Sequence, residues 1–370
     1  MSRRRIVVAM SGGIDSSVAA ALLTDQGFEV VGVHMRVGPW GAEQASAAGR
    51  ARACCSLRDA EDARSVAAVL GIPFYVLDFR ADFEREVIAP FVETYRQGRT
   101  PNPCVLCNER LKLGRLLERA ESFGACGVAT GHYARVVLNE ATGRHELRRG
   151  GDRARDQSYY LFRLSQEQLA AFHTPLGCLT KEDARRIARQ RGLPVSEKPG
   201  SQDICFLADS DYRGFLAERL AQSAERDLGG AIVDRNGREL GRHEGVHLFT
   251  VGQRRGIGIS GPRPLYVVEL RPEERVVVVG EEQDLRASVL ETGRVVWGAV
   301  PELDGVRRGR VQIRYRHQAA PATLIPIDGG RRVRVEFDSP QRAITPGQAA
   351  ALYDEDDGVV LGGGWIERAL

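Results

Sequence analysis

The run "RRIVVAMSGGIDSSVAAALLTDQGFEVVGVHM", Arg4 to Met35, constrains the fold more than any other part of the chain. A continuous apolar stretch meets a glycine pair, a helix-length stretch ends at Gly27, and a second apolar stretch follows. Two apolar strands joined by a helix are buried together only in a parallel sheet covered by helices on both faces. The alternation continues to about residue 135. It predicts a helix over Asp15–Gln26 and one in "SLRDAEDARSVAAVLG", with a capping box at Ser56 and Asp59 and a glycine stop at Gly71. Strands follow in "EVVGVHM", "PFYVLDF" and "GVATGHYA", with a helix around Asn108–Phe123 between the last two.

"ARVVLNEATGRHELRRG" reads as a hairpin turning near Thr142-Gly143, and Ser165 and Thr180 each open a short capped helix. Beyond Tyr212, short alternating runs punctuated by glycine and proline predict an all-β region, and from about residue 285 a second one. "RGRVQIRYR" is expected to turn Val311, Ile313 and Tyr315 one way and Arg310, Gln312, Arg314 and Arg316 the other; "RRVRVEF" repeats the device. Three domains result: 1–211, 212–284 and 285–370. A chain of 370 residues exceeds a single hydrophobic core, so this division is expected from length as well.

No apolar run approaches the roughly 20 residues that span a bilayer, and the start lacks the apolar region of an export signal. A cytoplasmic location with no membrane partner is the expectation. Seven cysteines, at 54, 55, 104, 107, 126, 178 and 205, are an odd number that favours reduced thiols over a disulfide scaffold. The net charge of +3 is small, but Gly305–Val335 carries eight arginines against the single acid Asp328, a candidate phosphate-contacting face. Of the 52 basic residues only Lys112, Lys181 and Lys198 are lysines, which a coding bias toward arginine would explain.

"AMSGGIDSS" joins the first strand to the first helix. Gly12 and Gly13 permit tight turning, the helix N-terminus directs N–H groups at an anion, and Ser11, Ser16 and Ser17 add hydroxyls. It has neither the Gly-Lys-Ser/Thr ending of the Walker loop nor the dinucleotide G-x-G-x-x-G. Asp15 beside polyphosphate is expected to bind Mg²⁺ or cap the helix. The pair Cys104 and Cys107 in "TPNPCVLCN" is open to metal binding, dithiol redox chemistry, sulfur transfer or a core role.

This glycine loop resembles that of the PP-loop, or N-type, ATP pyrophosphatases. Within them the chain resembles the bacterial tRNA-specific 2-thiouridylases along its whole length, through "AMSGGIDSS", "GVHM", "TPNPCVLCN", "ATGHYAR", "RDQSYYLF", "SQDICF", "FTVGQRRGIG", "IRYR" and "SPQRAITPGQAAALY". The resemblance implies a PP-loop α/β domain, a small β connector and a C-terminal β-barrel-like domain that contacts tRNA. It implies that ATP adenylates the C2 oxygen of the wobble uridine and that persulfide sulfur displaces AMP. Met10, Ser11, Gly12, Gly13, Ile14, Asp15, Ser16, Ser17, Met35 and Gly131 would bind ATP, with Mg²⁺. Asn102, Pro103 and Cys104 would line the target base, Cys104 standing where other members have Asp. His132, Arg155, Asp156, Gln157, Arg314, Tyr315 and Gln348 would contact tRNA. Cys205 would carry the persulfide and Cys107 would act as the partner nucleophile, leaving a Cys107–Cys205 disulfide. A cysteine desulfurase or sulfur-relay protein would donate the sulfur to what is expected to be a monomer. Cys104, Cys107 and Cys205 could instead hold a [4Fe-4S] cluster. Two rival readings are another PP-loop adenylating ligase, which would not need Cys107 or Cys205, and a non-catalytic RNA-binding module.

Overall fold

The computed structural model describes residues 4–38, 57–199, 204–207, 211–220, 229–259 and 263–370. The first apolar run becomes β1 (Arg5–Ala9), whose Ile6, Val7 and Val8 are wholly buried because helices cover both its faces. Beside it run β2 (Glu29–Arg36) and then β3 (Phe74–Asp78) on one side, and β4 (Val128–Ala129) on the other. The hairpin β5 (Ala134–Asn139) and β6 (Arg144–Arg149) turns at Gly143, whose φ of 66° is the left-handed value such a tight turn needs. The two-residue β7 (Phe172–His173) completes a five-stranded sheet in the order β3-β2-β1-β4-β7, parallel throughout. β7 was not foreseen: two residues show no periodicity.

Helix α1 (Ile14–Asp25) is apolar on nearly every side, as a helix enclosed by its neighbours must be. Its Val18, Ala19 and Leu23 share one core with Ile6 and Val8 of β1, with Ala63 and Val66 of α2 (Leu57–Leu70), and with Ala184 and Ala188 of the later helix Lys181–Gln190. Each large side chain so buried contributes about 1.5–3 kcal/mol. Ser165 and Thr180 both close capping boxes, with Gln168 and Asp183. Ser56, the expected cap of α2, lies outside the described residues.

By their contacts the residues form two units, one of 1–88 and 103–212 and the other of 89–102 and 213–370. In the second unit β8 (Gly230–Val233), β9 (Glu239–His243), β10 (Tyr266–Arg271) and β11 (Val276–Gly280) make a sheet around Ile232, Val267, Val277 and Val279. A separate core around Val311, Leu324, Val335 and Leu352 fills a barrel. Its strands are β12 (Arg286–Thr292), β13 (Val296–Trp297), β14 (Arg307–Gln312), β15 (Ala320–Ile327), β16 (Arg332–Arg342), β17 (Ala349–Tyr353) and β18 (Val360–Ala369). Pairing of β12 with both β16 and β18 closes six of these strands into a ring, with the two-residue β13 paired to β18 alone. Alternation holds in β16, where Val333, Val335 and Phe337 point inward. It fails after Gln312: β14 ends there, Gln312 is buried, and Tyr315 sits exposed in the turn Arg314–His317.

Candidate functional site: the switch point of the parallel sheet

The chain leaves β1 for β2 on one side of the sheet, while β4 stands on the other. Ligands of open α/β sheets bind at such a reversal, beyond the carboxyl ends of the strands. The Ser11–Gly13 turn follows β1 there, and Thr130-Gly131-His132 follows β4. The second turn touches the start of α1: a Cβ built on Gly131 would come within 2.5 Å of the Asp15 carbonyl carbon and 2.6 Å of the Ser16 amide nitrogen.

The loop is held open by its own bonds. Ser16 Oγ accepts from the Ser11 amide (3.2 Å), and Ser17 Oγ donates to Gly13 O (2.8 Å). Gly12 has φ 71°, and a Cβ there would lie 2.2 Å from Asp59 O at the start of α2. No other residue fits that place. The first-turn amides of α1 therefore face the crevice, the arrangement that receives a phosphate. Met10 and Ile14 belong to the core, so they can serve a nucleotide only through their backbone. Met35, at the end of β2, is half-buried.

Three residues not picked from the sequence surround this loop. Lys181 Nζ donates to Asp15 Oδ1 at 2.6 Å, and the Tyr133 hydroxyl donates to the same oxygen at 2.7 Å. Burial and then the Asp15 carboxylate hold the Tyr133 phenol protonated far above its usual range. Lys198 Nζ donates to Gly12 O (2.9 Å), Asp59 Oδ1 (2.7 Å) and Asp62 Oδ2 (2.5 Å). The third lysine, Lys112, donates to Asn108 Oδ1 (2.9 Å) and stands close enough to His132 to lower its pKa. Burial is the larger cause; together they keep the imidazole neutral near pH 7. Thr130 Oγ1 shares a 2.6 Å hydrogen bond with His132 Nδ1. All of the chain's lysines thus lie in this unit around one crevice, a signal visible in the sequence as their scarcity.

Cys104 and Cys107 lie within a helix, where a helix beginning only at Asn108 was expected. Pro103–Leu106, Cys107–Arg115 and Leu116–Ser122 follow one another without a break, and the middle piece is wound as a π-helix. Proline at the first helical position starts it, since the missing N–H has no partner there in any case. Cys104, Cys107 and Cys205 are half-buried thiols, and Cys126 and Cys178 are exposed. Cys54 and Cys55 lie outside the described residues. The alternative reading of Cys104, Cys107 and Cys205 as ligands of an iron–sulfur cluster finds no support: among the described residues no three His, Cys, Asp or Glu side chains stand together as metal ligands. Cys104 and Cys107 share a helix, and Cys205 comes from a separate segment.

Several residues expected to contact tRNA have intramolecular partners. Asp156 accepts from Arg149 Nη1 (2.7 Å), the Gly150 amide (2.8 Å) and Ser158 Oγ (2.8 Å), which tie its carboxylate into the fold. Gln157 Oε1 accepts from the Tyr133 amide, whereas Arg155 is exposed. Within the second unit Gln348 Nε2 donates to Thr100 O and Pro101 O, and Arg314 Nη1 to Arg342 O. Tyr315 is exposed, with the Arg316 guanidinium 5.4 Å over its ring. Asn102 and Pro103 are buried and Cys104 half-buried.

Half of the eight arginines in the arginine-rich stretch of the barrel are paired with acids, two of those acids distant in sequence and two close by. Arg308 pairs with Asp338, Arg331 with Asp328, Arg332 with Glu291 and Arg334 with Glu336. By contrast Arg254 and Arg255 in "GQRRGIG" are exposed and make no ion pair among the described residues.

Residues 4–209 match the family model described as tRNA methyl transferase HUP domain. Residues 213–281 match its PRC-barrel domain and 288–366 the aminomethyltransferase beta-barrel domain. Curated relatives carry a different activity in their names. The tRNA-specific 2-thiouridylase MnmA of Geobacter metallireducens is 48% identical over 100% of this chain and 98% of its own length. That of Syntrophotalea carbinolica is 50% identical over 98% of each chain. A solved 4-thiouridine synthetase–RNA complex with bound ATP aligns at 17% identity over 59% of this chain and 50% of its own, with a TM-score of 0.35, too low to add to the argument. Full-length identity near one half outweighs the wording of a domain description, and the chain belongs to the tRNA-specific 2-thiouridylase family.

Proposed function

We propose that this protein thiolates C2 of the wobble uridine in tRNA at the expense of ATP, in the cytoplasm. The observation that carries the reading is the crevice itself: the amides of α1, opened by Gly12 and approached by the backbone of Gly131, form a phosphate cradle with lysine ammonium groups around it.

ATP bound with its phosphates at Ser11–Ser17 presents its α-phosphorus to the uridine O2. That oxygen attacks, pyrophosphate leaves, and C2 gains an adenylate in place of a poor leaving group. Mg²⁺ would be held by the Asp15 oxygen not engaged by Lys181 and Tyr133, and would shield phosphate charge. Cys205 brings sulfur as a persulfide received from a donor such as a cysteine desulfurase or relay protein. Its terminal sulfur attacks C2 and AMP departs. The Cys107 thiolate then attacks Cys205 Sγ; the S–S bond to the new sulfur breaks, its electron pair forms the thiocarbonyl, and a Cys107–Cys205 disulfide remains for an external thiol to reduce.

Purified protein, unmodified tRNA, ATP and a persulfide source should yield 2-thiouridine by nucleoside mass spectrometry. Cys205→Ala should abolish it while leaving tRNA-dependent pyrophosphate exchange intact. Sulfur incorporation persisting in Cys205→Ala overturns the assignment.

A further inference from the structure

We infer that Gln168 is a positioning residue for Cys107, holding the π-helical register from which that thiol projects; the inference rests on the reaction proposed above. A π-helix is rare beyond a single turn because its wider winding loosens contact along the axis, so nine residues of it need support from outside. Its pattern is plain at the end, where the Leu116 amide donates to Leu111 O, five residues back.

The support comes from the short helix that follows Ser165. Gln168 Nε2 donates to both Glu109 O (2.8 Å) and Leu113 O (2.9 Å), clipping two carbonyls of the widened turns with one amide. The same amide's Oε1 accepts from the Ser165 amide (3.0 Å), so the capping box fixes the clip in place. Three further bonds hold the stretch. Arg163 grips Glu109 with Nε and Nη2 (2.8 and 3.1 Å), and Asn108 Nδ2 donates to Tyr160 O (3.1 Å). Gly114 belongs to the same device: a Cβ there would press on Glu109 O at 3.2 Å.

The consequence falls on the residue that opens the stretch, Cys107. Loss of one π step to ordinary α winding turns everything on its N-terminal side by about 100° and shifts it about 1.5 Å along the axis. A thiol so displaced no longer meets a persulfide delivered at a fixed point, and a displacement of about 1 Å can cost roughly 100-fold in rate. The adenylating loop on α1 makes none of these bonds.

Gln168→Glu separates clip from cap, because the carboxylate still accepts from Ser165 but cannot donate to the two carbonyls. Ser165→Ala is the control that weakens the cap and keeps the clip. Each full-length variant is loaded with persulfide and followed through one turnover. The readouts are tRNA-dependent pyrophosphate exchange, 2-thiouridine by nucleoside mass spectrometry, and the Cys107–Cys205 disulfide by non-reducing peptide mapping. Gln168→Glu should keep exchange within about twofold while 2-thiouridine and disulfide formation both fall roughly 100-fold; Ser165→Ala should change all three by less than about threefold. Should Gln168→Glu not fold, Gln168→Met, neutral and similar in length, replaces it with the same expectation. Wild-type rates of thiolation and disulfide formation in either folded variant overturn the inference. Wild-type protein that makes no 2-thiouridine, or Cys107→Ala that makes it at the normal rate, overturns the proposed reaction instead.

Discussion

Lys181 Nζ lies 2.6 Å from Asp15 Oδ1, joining the helix Lys181–Gln190 to the first turn of α1. The pair holds a carboxylate beside a loop built to receive polyphosphate, where an uncompensated negative charge would oppose the ligand. On the proposed reaction, Lys181 is the cation beside the loop where charge develops on departing pyrophosphate.

Lys181→Met should therefore lower tRNA-dependent pyrophosphate exchange by roughly 100- to 1000-fold, the range seen when one donor to a developing anion is removed. Lys181→Arg should not restore it. The three donors of an ammonium radiate from a point, whereas the guanidinium fork is planar and larger, and Lys181 is buried. The exchange rate at saturating ATP reads this directly, and full activity in Lys181→Arg would count against the role.

Lys198 makes a second, separable contribution. Burial works against its charge, but the bonds to Asp59 and Asp62 outweigh it and raise the pKa above 10.5. Its stabilisation is therefore complete below pH 10.5 and is lost as pH rises through the higher folded value. Lys198→Met leaves Asp59, Asp62 and the Gly12 carbonyl without this donor and should cost about 1 kcal/mol, part of the full value because the group is partly solvated. Thermal melting should show a fall of a few degrees, and adding Asp59→Asn and Asp62→Asn should recover part of it.

Much of this architecture was legible in the sequence because local rules and tertiary context agreed. Gly27, Gly71 and the Ser165 and Thr180 boxes mark helix ends by bonds made within a few residues. What escaped depends on distant residues. β7 has two residues and exists only because β4 offers an edge to pair with. The π winding of Cys107–Arg115 is set by Gln168, more than fifty residues later. The arginines of the barrel looked like a bare basic face because Glu291, Asp338 and Glu336, which neutralise Arg332, Arg308 and Arg334, lie outside the stretch counted. The lysines were legible as a rarity and unreadable as a cluster, since only the fold brings residues 112, 181 and 198 to one crevice.

Acid sensitivity follows from the histidines. His132, His173, His243, His247 and His317 are all held below 6.5, with burial the first cause in each. The unfolded chain therefore takes up protons before the folded one as pH falls through 6.5, and stability declines with it. Each such proton is worth about 1.4 kcal/mol per pH unit across the gap. The urea midpoint should be clearly lower at pH 5.5 than at pH 7.5. Carboxylates held low, such as Asp78 and Asp183 at about 2, leave that window to the histidines. An unchanged midpoint would mean that these rings are protonated in place.

Arg254 and Arg255 make the sharpest test of where RNA backbone meets the second unit. Their turn is tightly self-bonded: the Gly252 amide donates to Val267 O, the Val267 amide to Gln253 O, and Gln253 Nε2 to Arg255 O. Two guanidinium groups are thus held on a bonded turn with no acid paired to them among the described residues. Arg308 has spent its fork on Asp338, with bonds of 2.8 and 2.6 Å. If phosphate contacts depend on unanswered charge, Arg254→Ala with Arg255→Ala should weaken tRNA binding and lower the slope of log affinity against log salt by about two. Arg308→Ala should leave that slope unchanged, because the arginine it removes already has its counter-charge. A titration of tRNA affinity across salt concentrations distinguishes the two, and equal slopes in all three proteins would place the backbone contacts elsewhere.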